Sequence, residues 1–270
     1  MKRHGRSHCR PQTSGRPNTG MQATGLPARP SELSCTSSVP CSHGFCDTRN
    51  APDAEAVSQR EGTFMGKSVS AKRRQVIFQF LVVLVGVDPL VWRRIRVPGR
   101  YSFWDLHVAI QDAMGWLDYH LHEFKLNDPE SGKQVRIGLP DDEDPYGMEV
   151  LADHLVPITD YFIHDNEFAL YTYDFGDGWR HLVVFEDLIQ PEKGVDYPHC
   201  LSGERKCPPE DCGGPHGYER FLEAIRNPDH EEHEEYLTWV GGNFDPEDFS
   251  PELVQFDDPE ERWRIAFDER

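Results

Sequence analysis

The stretch Tyr197–His216 constrains this chain most. It holds four prolines and three glycines in twenty residues, and three cysteines, Cys200, Cys207 and Cys212, fall within thirteen of its positions. Proline removes backbone donors and glycine relaxes φ, so the composition predicts an irregular loop with little helix or strand inside it. A loop of that kind needs something to hold it. Three thiols and a nearby histidine are the donor set of a tetrahedral zinc site. The intervals of six and four residues between the cysteines differ from the usual two-residue knuckles. His181 is the preferred fourth ligand because its strand leads towards the loop; His199, His216, His120 and His122 are alternatives. Four protein ligands would make the zinc structural, whereas a water in the fourth place would open it to catalysis. The competing account is three free thiols in a packed loop.

Charge divides the 270 residues in two. Residues 1–64 hold 8 Lys/Arg against 5 Asp/Glu, and residues 65–270 hold 20 against 42, a net of −22. A body that acidic repels a phosphate backbone and disfavours non-specific nucleic-acid binding. Acidity is equally the ordinary composition of a soluble, self-repelling surface. No apolar run approaches the ~20 residues needed to span a bilayer, and the basic N-terminus lacks the apolar segment of a secretory signal. The expectation is therefore a cytoplasmic protein with no membrane association. In a reducing compartment clustered thiols favour metal over disulfide, and seven cysteines is an odd count that complete disulfide pairing could not use.

Residues 1–64, rich in Ser, Pro, Gly, Arg and Thr, lack aliphatic periodicity and read as a disordered tail. The change of character at Met65 is also what a translation start there would give. Cys35, Cys41, Cys46 and His43 lie in the tail without a hydrophobic frame and read as incidental. The organisation expected is a tail over 1–70, one α+β domain over 71–260 and a C-terminal tail over 261–270. The domain opens with a central strand at Gln75–Val85 and a half-exposed partner at Val91–Val97. A helix follows at Phe103–Trp116 with Ser102 as its N-cap, then a strand at His120–Leu126. The order strand, strand, helix, strand predicts a β-grasp-like start, with a mixed or antiparallel sheet and helices on one side. A short strand at Gln134–Ile137 and a short helix or turn at Val150–Pro157 come next. Phe168–Phe175 and Trp179–Glu186 form a hairpin across Gly176-Asp177-Gly178. Helices are expected at Tyr218–Arg226 and His230–Val240, and Phe244–Phe256 as a segment wrapping the core.

Three further constellations carry candidate chemistry. His120 and His122 would share a strand face, as metal ligands or a proton-transfer pair, or simply as solvent-facing polar residues. Asp174 and Asp177 could support acid–base work or hold a divalent ion, although Asp and Gly are also what a tight turn demands. Arg94 and Arg96, with Trp92, could grip an anion or pair with the chain's own carboxylates. The acidic run Asp141–Asp144 lacks the alternation of a calcium loop and reads as solvated. Phosphate-loop, dinucleotide-binding and nucleophile-elbow motifs are absent.

Several of these motifs occur together in a known family. Val91-Trp92-Arg93-Arg94-Ile95, Phe103-Trp104-Asp105-Leu106-His107, Ala113-Met114-Gly115-Trp116, His120-Leu121-His122-Glu123-Phe124, Tyr173-Asp174-Phe175-Gly176-Asp177-Gly178-Trp179 and Cys207-Pro208-Pro209-Glu210-Asp211-Cys212-Gly213-Gly214 resemble the plasmid pRiA4b open-reading-frame-three-like family over residues 75–255. The resemblance implies a bacterial or archaeal α+β protein associated with plasmids and mobile elements, whose biochemical role is unsettled. Some relatives carry a transposon-resolvase label, but no serine or tyrosine here stands in a recombinase frame.

The leading expectation is a non-catalytic module, stabilised by zinc at Cys200, Cys207, Cys212 and His181, that presents an acidic surface to a protein partner. The alternatives are a metal-dependent enzyme acting on nucleic acid or a phosphorylated small molecule, with His120, His122, Asp174, Asp177 and His181 converging, and a transposon-associated DNA-binding factor.

Overall fold

The structure, a computed structural model, describes residues 72–73, 75–140, 149–164 and 167–268. The tail with Cys35, Cys41, Cys46 and His43, the acidic run Asp141–Asp144 and the start of the chain up to Met65 lie outside the described residues.

Eight strands form one sheet. They are β1 Ile77–Val85, β2 Trp92–Pro98, β3 His122–Asn127, β4 Gln134–Gly138, β5 Val150–Ala152, β6 Phe168–Tyr173, β7 Trp179–Ile189 and β8 His199–Glu204, in the order β5-β4-β3-β6-β7-β1-β2-β8. All neighbours are antiparallel except β4 and β5. In β1 the side chains at Phe78, Phe80, Val82 and Leu84 are buried and the intervening ones are partly exposed, the period-two pattern of a strand with one covered face.

Helix α1 spans Phe103–Met114. Ser102 accepts from the Asp105 backbone amide while the Asp105 carboxylate accepts from the Ser102 amide, a complete capping box. Gly115 ends the helix in the left-handed region at φ 84°. The covered face is aromatic: Phe78, Phe80, Phe103, Phe124, Phe162 and Phe185 are all buried and linked by ring contacts of 4.9–6.2 Å. Helices α2 Gly214–Arg226 and α3 His233–Trp239 pack together through Phe221 against Tyr236 and Trp239, and Phe244 closes over them. The wrapping role of the segment after Phe244 is met by Phe244 and Phe249.

The α+β architecture and the opening order stand, with two differences of arrangement. The β-grasp adjacency is absent: β7 occupies the free edge of β1, and β6 lies between β7 and β3. The β6–β7 hairpin carries fully buried Ala169, Tyr171, Tyr173, Trp179, Val183 and Phe185, and so claims the sheet centre by burial. The cysteine stretch is also more regular than its composition predicts. Its first third is β8, paired with β2 from Arg96↔His199 to Trp92↔Glu204, and its end begins α2. At the C-terminus, residues 261–268 continue the domain rather than trailing from it. Helix α4, Pro259–Trp263, and the π turn Arg264–Asp268 lay Trp263 and Phe267 on Trp104 at 5.0 and 5.7 Å. Pro259 accepts a hydrogen bond from the Trp104 indole at 2.9 Å.

Candidate functional site

Three segments meet beside the β6–β7 turn: Trp116–Leu121, Asp174–Gly178 and Cys207–Gly214. Glu210 clamps the first to the third. One of its carboxylate oxygens accepts from Tyr173 Oη at 2.6 Å and the other from the Leu117 amide at 2.8 Å. Tyr173 Oη in turn accepts from the Tyr119 amide at 3.0 Å, and the Trp116 indole donates to Pro208 O at 2.9 Å. Burial, then the Glu210 carboxylate, push the Tyr173 phenol far above its ordinary range, so it serves as a permanent donor. The second and third segments are docked backbone to backbone. Asp177 accepts from the Gly213 amide at 3.0 Å, and a Cβ on Gly214 would lie 2.3 Å from Asp177 O. A Cβ on Gly217 would lie 1.9 Å from Cys212 O, so the first turn of α2 also demands glycine.

At this junction His120, Asp174 and Asp211 bring one ligand atom each within 4.8 Å of one another, the one such group of three among the described residues. His120 Nε2 is 3.0 Å from Asp211 Oδ1 and 3.8 Å from Asp174 Oδ2, yet no acceptor lies in hydrogen-bonding geometry to it. Asp174 and Asp211 are non-glycine residues at positive φ, 53° and 59°, which short carboxylate side chains tolerate. Asp174 Oδ1 accepts from the amides of Gly176 and Asp177, leaving Oδ2 turned to His120. One imidazole and two carboxylates suit a divalent transition ion such as zinc or manganese.

The other sequence candidates lie elsewhere. β3 begins at His122, so His120 precedes the strand, its ring 5.7 Å from that of Tyr173. His122 is buried, and its Nε2 donates to the fully buried Asp153 at 2.8 Å. Its ring stacks on His107 at 3.5 Å and 9°. Burial and the neighbouring His107 lower the His122 pKa to about 4. His107 donates through Nε2 to Asp118 at 2.9 Å and accepts through Nδ1 from Tyr171, which itself accepts from Gln111. His107, Tyr171, Gln111 and His122 in this network are buried, and it reaches the surface only at Asp118. Asp177 is held by Gly213.

His181 is fully buried between Trp116 at 5.3 Å and Tyr171 at 5.2 Å, and burial lowers its pKa to about 3. Cys200, Cys207 and Cys212 are all buried, but they do not form a group of three at ligand distance, with or without His181. Burial raises the Cys200 thiol to about 11 and the Cys212 thiol to about 12, and pushes Cys207 higher still. His199 is exposed on edge strand β8, and His216 is almost wholly exposed.

The first part of the cysteine stretch, at Glu204 and Arg205, is held by Arg93, 1% exposed. Its guanidinium donates to Ala113 O, Trp92 O, Glu204 O and Arg205 O at 2.7–2.9 Å and lies on the Phe249 ring at 3.6 Å. Arg94 and Arg96 pair internally: Arg94 meets Glu186 with two bonds of 2.7 and 2.8 Å, and Arg96 meets Gln79 and Glu192.

Sequence reasoning missed Asp211, Glu210, Arg93 and His107. Asp211 and Glu210 sit among the cysteines and drew no notice beside them. Arg93 alternates with Arg94 in sequence, which places the two on opposite faces without saying which face is covered.

The family model described as plasmid pRiA4b ORF-3-like protein matches residues 76–253. The uncharacterized protein y4hQ of Sinorhizobium fredii (strain NBRC 101917 / NGR234) is 38% identical over 169 residues, covering 62% of this chain and 82% of the relative. A solved structure of a protein of unknown function, MM3350 from Methanosarcina mazei Go1, matches with a TM-score of 0.62 at 42% identity. That match covers 67% of this chain and 98% of the other. Neither relative's name assigns an activity.

Proposed function

This chain belongs to the plasmid pRiA4b ORF-3-like family, and within it we propose a non-catalytic binding module whose ion, a divalent cation, is held by His120, Asp174 and Asp211. The observation that carries this reading is the convergence of one nitrogen and two carboxylate oxygens from three separate segments within 4.8 Å. The two carboxylates offset the ion's charge, and a cation between them would take up the His120 lone pair that no hydrogen bond uses. Three protein ligands leave further coordination positions for solvent or a bound partner. A non-catalytic role is favoured because three of the five groups expected to converge, His122, His181 and Asp177, do not join the triad. His122 and His181 are sealed in the core, and the Asp177 carboxylate is occupied by Gly213.

The test is calorimetric titration of the purified, metal-stripped full chain with Zn²⁺ and Mn²⁺. One equivalent is expected to bind, with affinity falling at least 10-fold in His120→Ala and in Asp211→Asn. Binding that both variants leave intact would overturn the reading.

Zinc at Cys200, Cys207, Cys212 and His181 is the second reading. Its support is three buried thiols in one stretch and a buried imidazole without a well-formed hydrogen bond. It requires the three thiols to draw together, Cys200 and Cys207 from beside the Arg93 guanidinium and Cys212 from near Asp177. Elemental analysis of Cys207→Ser, Cys212→Ser separates the two: metal lost with those serines favours the thiols, and metal retained favours the triad.

A further inference from the structure

A cleft of about 560 Å³ lies between the Trp116–Tyr119 segment and the C-terminal α4 with its π turn. Its apolar side chains are unusually open: Leu117 is 64%, Tyr119 73% and Ile265 58% exposed. Around them stand the exposed carboxylates Asp257, Asp258 and Glu261, of which Asp257 pairs with Arg262, Asp258 caps α4 through the Glu260 amide and Glu261 lies 3.5 Å from the Arg264 guanidinium. The cation lining the cleft, Arg262, is already engaged by Asp112, Asp118 and Asp257. Large exposed apolar side chains ringed by an excess of carboxylates, Asp118, Asp257, Asp258 and Glu261 against Arg262, are the composition of a recognition surface, with apolar anchors for affinity and charge for partner choice.

We propose that this cleft docks a basic segment of a partner protein, an apolar or aromatic anchor flanked by lysines or arginines. Charge complementarity selects that occupant. A second copy of this chain would bring the same three exposed carboxylates against their counterparts, and a nucleic acid would bring phosphates. A cationic segment alone among these gains from both the carboxylates and the apolar wall. The cleft shares the Trp116–Leu121 segment with the proposed cation site, but its recognition chemistry involves none of the three ion ligands, so the two proposals stand or fall separately.

The experiment is fluorescence anisotropy of the full chain with the labelled synthetic peptide Lys-Arg-Lys-Phe-Leu-Arg-Lys-Arg, with EDTA and about 0.15 M salt to screen long-range attraction. Saturable binding is expected, at least 10-fold weaker for the peptide with Gly-Ser in place of Phe-Leu. Leu117→Ser, Ile265→Ser is expected to weaken it by a similar factor. Glu261→Lys should cost at least 5-fold, while Glu235→Lys, the same charge change on exposed α3, should leave affinity within 2-fold. No saturable binding, equal affinity for the two peptides, or equal loss from Glu261→Lys and Glu235→Lys would overturn the proposal. A dimer of the full chain that Leu117→Ser dissolves would also overturn it, because the occupant would then be a second copy. Circular dichroism of each variant checks that it is folded.

Discussion

Arg93 anchors the cysteine stretch at Glu204 and Arg205. A buried guanidinium is costly unless each donor finds an acceptor, and here four carbonyls from three parts of the chain supply them. Replacing it with methionine keeps much of the volume but leaves the carbonyls of Ala113, Glu204 and Arg205 short of donors. Arg93→Met is expected to lower stability by about 3 kcal/mol, read from urea unfolding, in keeping with unsatisfied buried groups at ~1–3 kcal/mol each. Arg93→Lys should recover only part of this, because an ammonium cannot reach in several in-plane directions at once. A loss below about 1 kcal/mol in Arg93→Met would show that the stretch is held by something else. Residue chemistry in sequence marked the cysteines and passed over this arginine. A strand's alternation shows that Arg93 and Arg94 face opposite ways but not which face is covered. β8 and Phe249, more than a hundred residues later, settle that.

At the scale of elements, the junction of the β6–β7 turn with the start of α2 holds the site together. Asp177 caps the Gly213 amide, and Gly214, at φ 69°, lets the two backbones touch. Gly214→Ala places a methyl 2.3 Å from Asp177 O in a backbone conformation that alanine disfavours. The expected result is a loss of about 2–3 kcal/mol, seen as a lower melting temperature, together with weakened Zn²⁺ binding because Asp211 is displaced from Asp174. Wild-type melting and wild-type binding in that variant would contradict the docking. Most element positions were legible from periodicity, turn residues and the Ser102 cap, because those signals are local. The starts of β3 and α2 were not, nor were β5, where a short helix or turn was expected, and β8, where a loop was expected. His120 has the alternation of a strand residue but is drawn out of the sheet by its neighbours' bonds to Glu210 and Tyr173. The glycines before Tyr218 look like helix breakers until their contacts with Asp177 and Cys212 are seen.

For the whole molecule, the buried imidazoles set the response to acid. His122 and His181 have folded pKa values of about 4 and about 3, below the ordinary 6.5 of the unfolded chain. The unfolded state therefore binds the protons first. Their contribution is fully present above pH ~6.5 and is lost as pH falls towards 4. Between pH 6.5 and 5 the two together should remove about 3 kcal/mol of unfolding free energy. That interval lies above the titration range of most carboxylates. Asp105 and Asp112, whose pKa values burial raises, act in the opposite sense. Urea unfolding at pH 7.0 and 5.0 measures the effect, and equal stability at both would mean the imidazoles are not held neutral.

By itself the sequence determined the class of the fold, its opening order of strand, strand, helix and strand, and the acidity of its body, because hydrophobic period, capping and charge are properties of neighbouring residues. Only the tertiary structure decided which strand sits beside β1, that Arg93 holds the cysteine stretch, and that His120, Asp174 and Asp211 meet. Each of these joins segments far apart in the chain, and what brings such segments together is the burial of surfaces that no local pattern specifies.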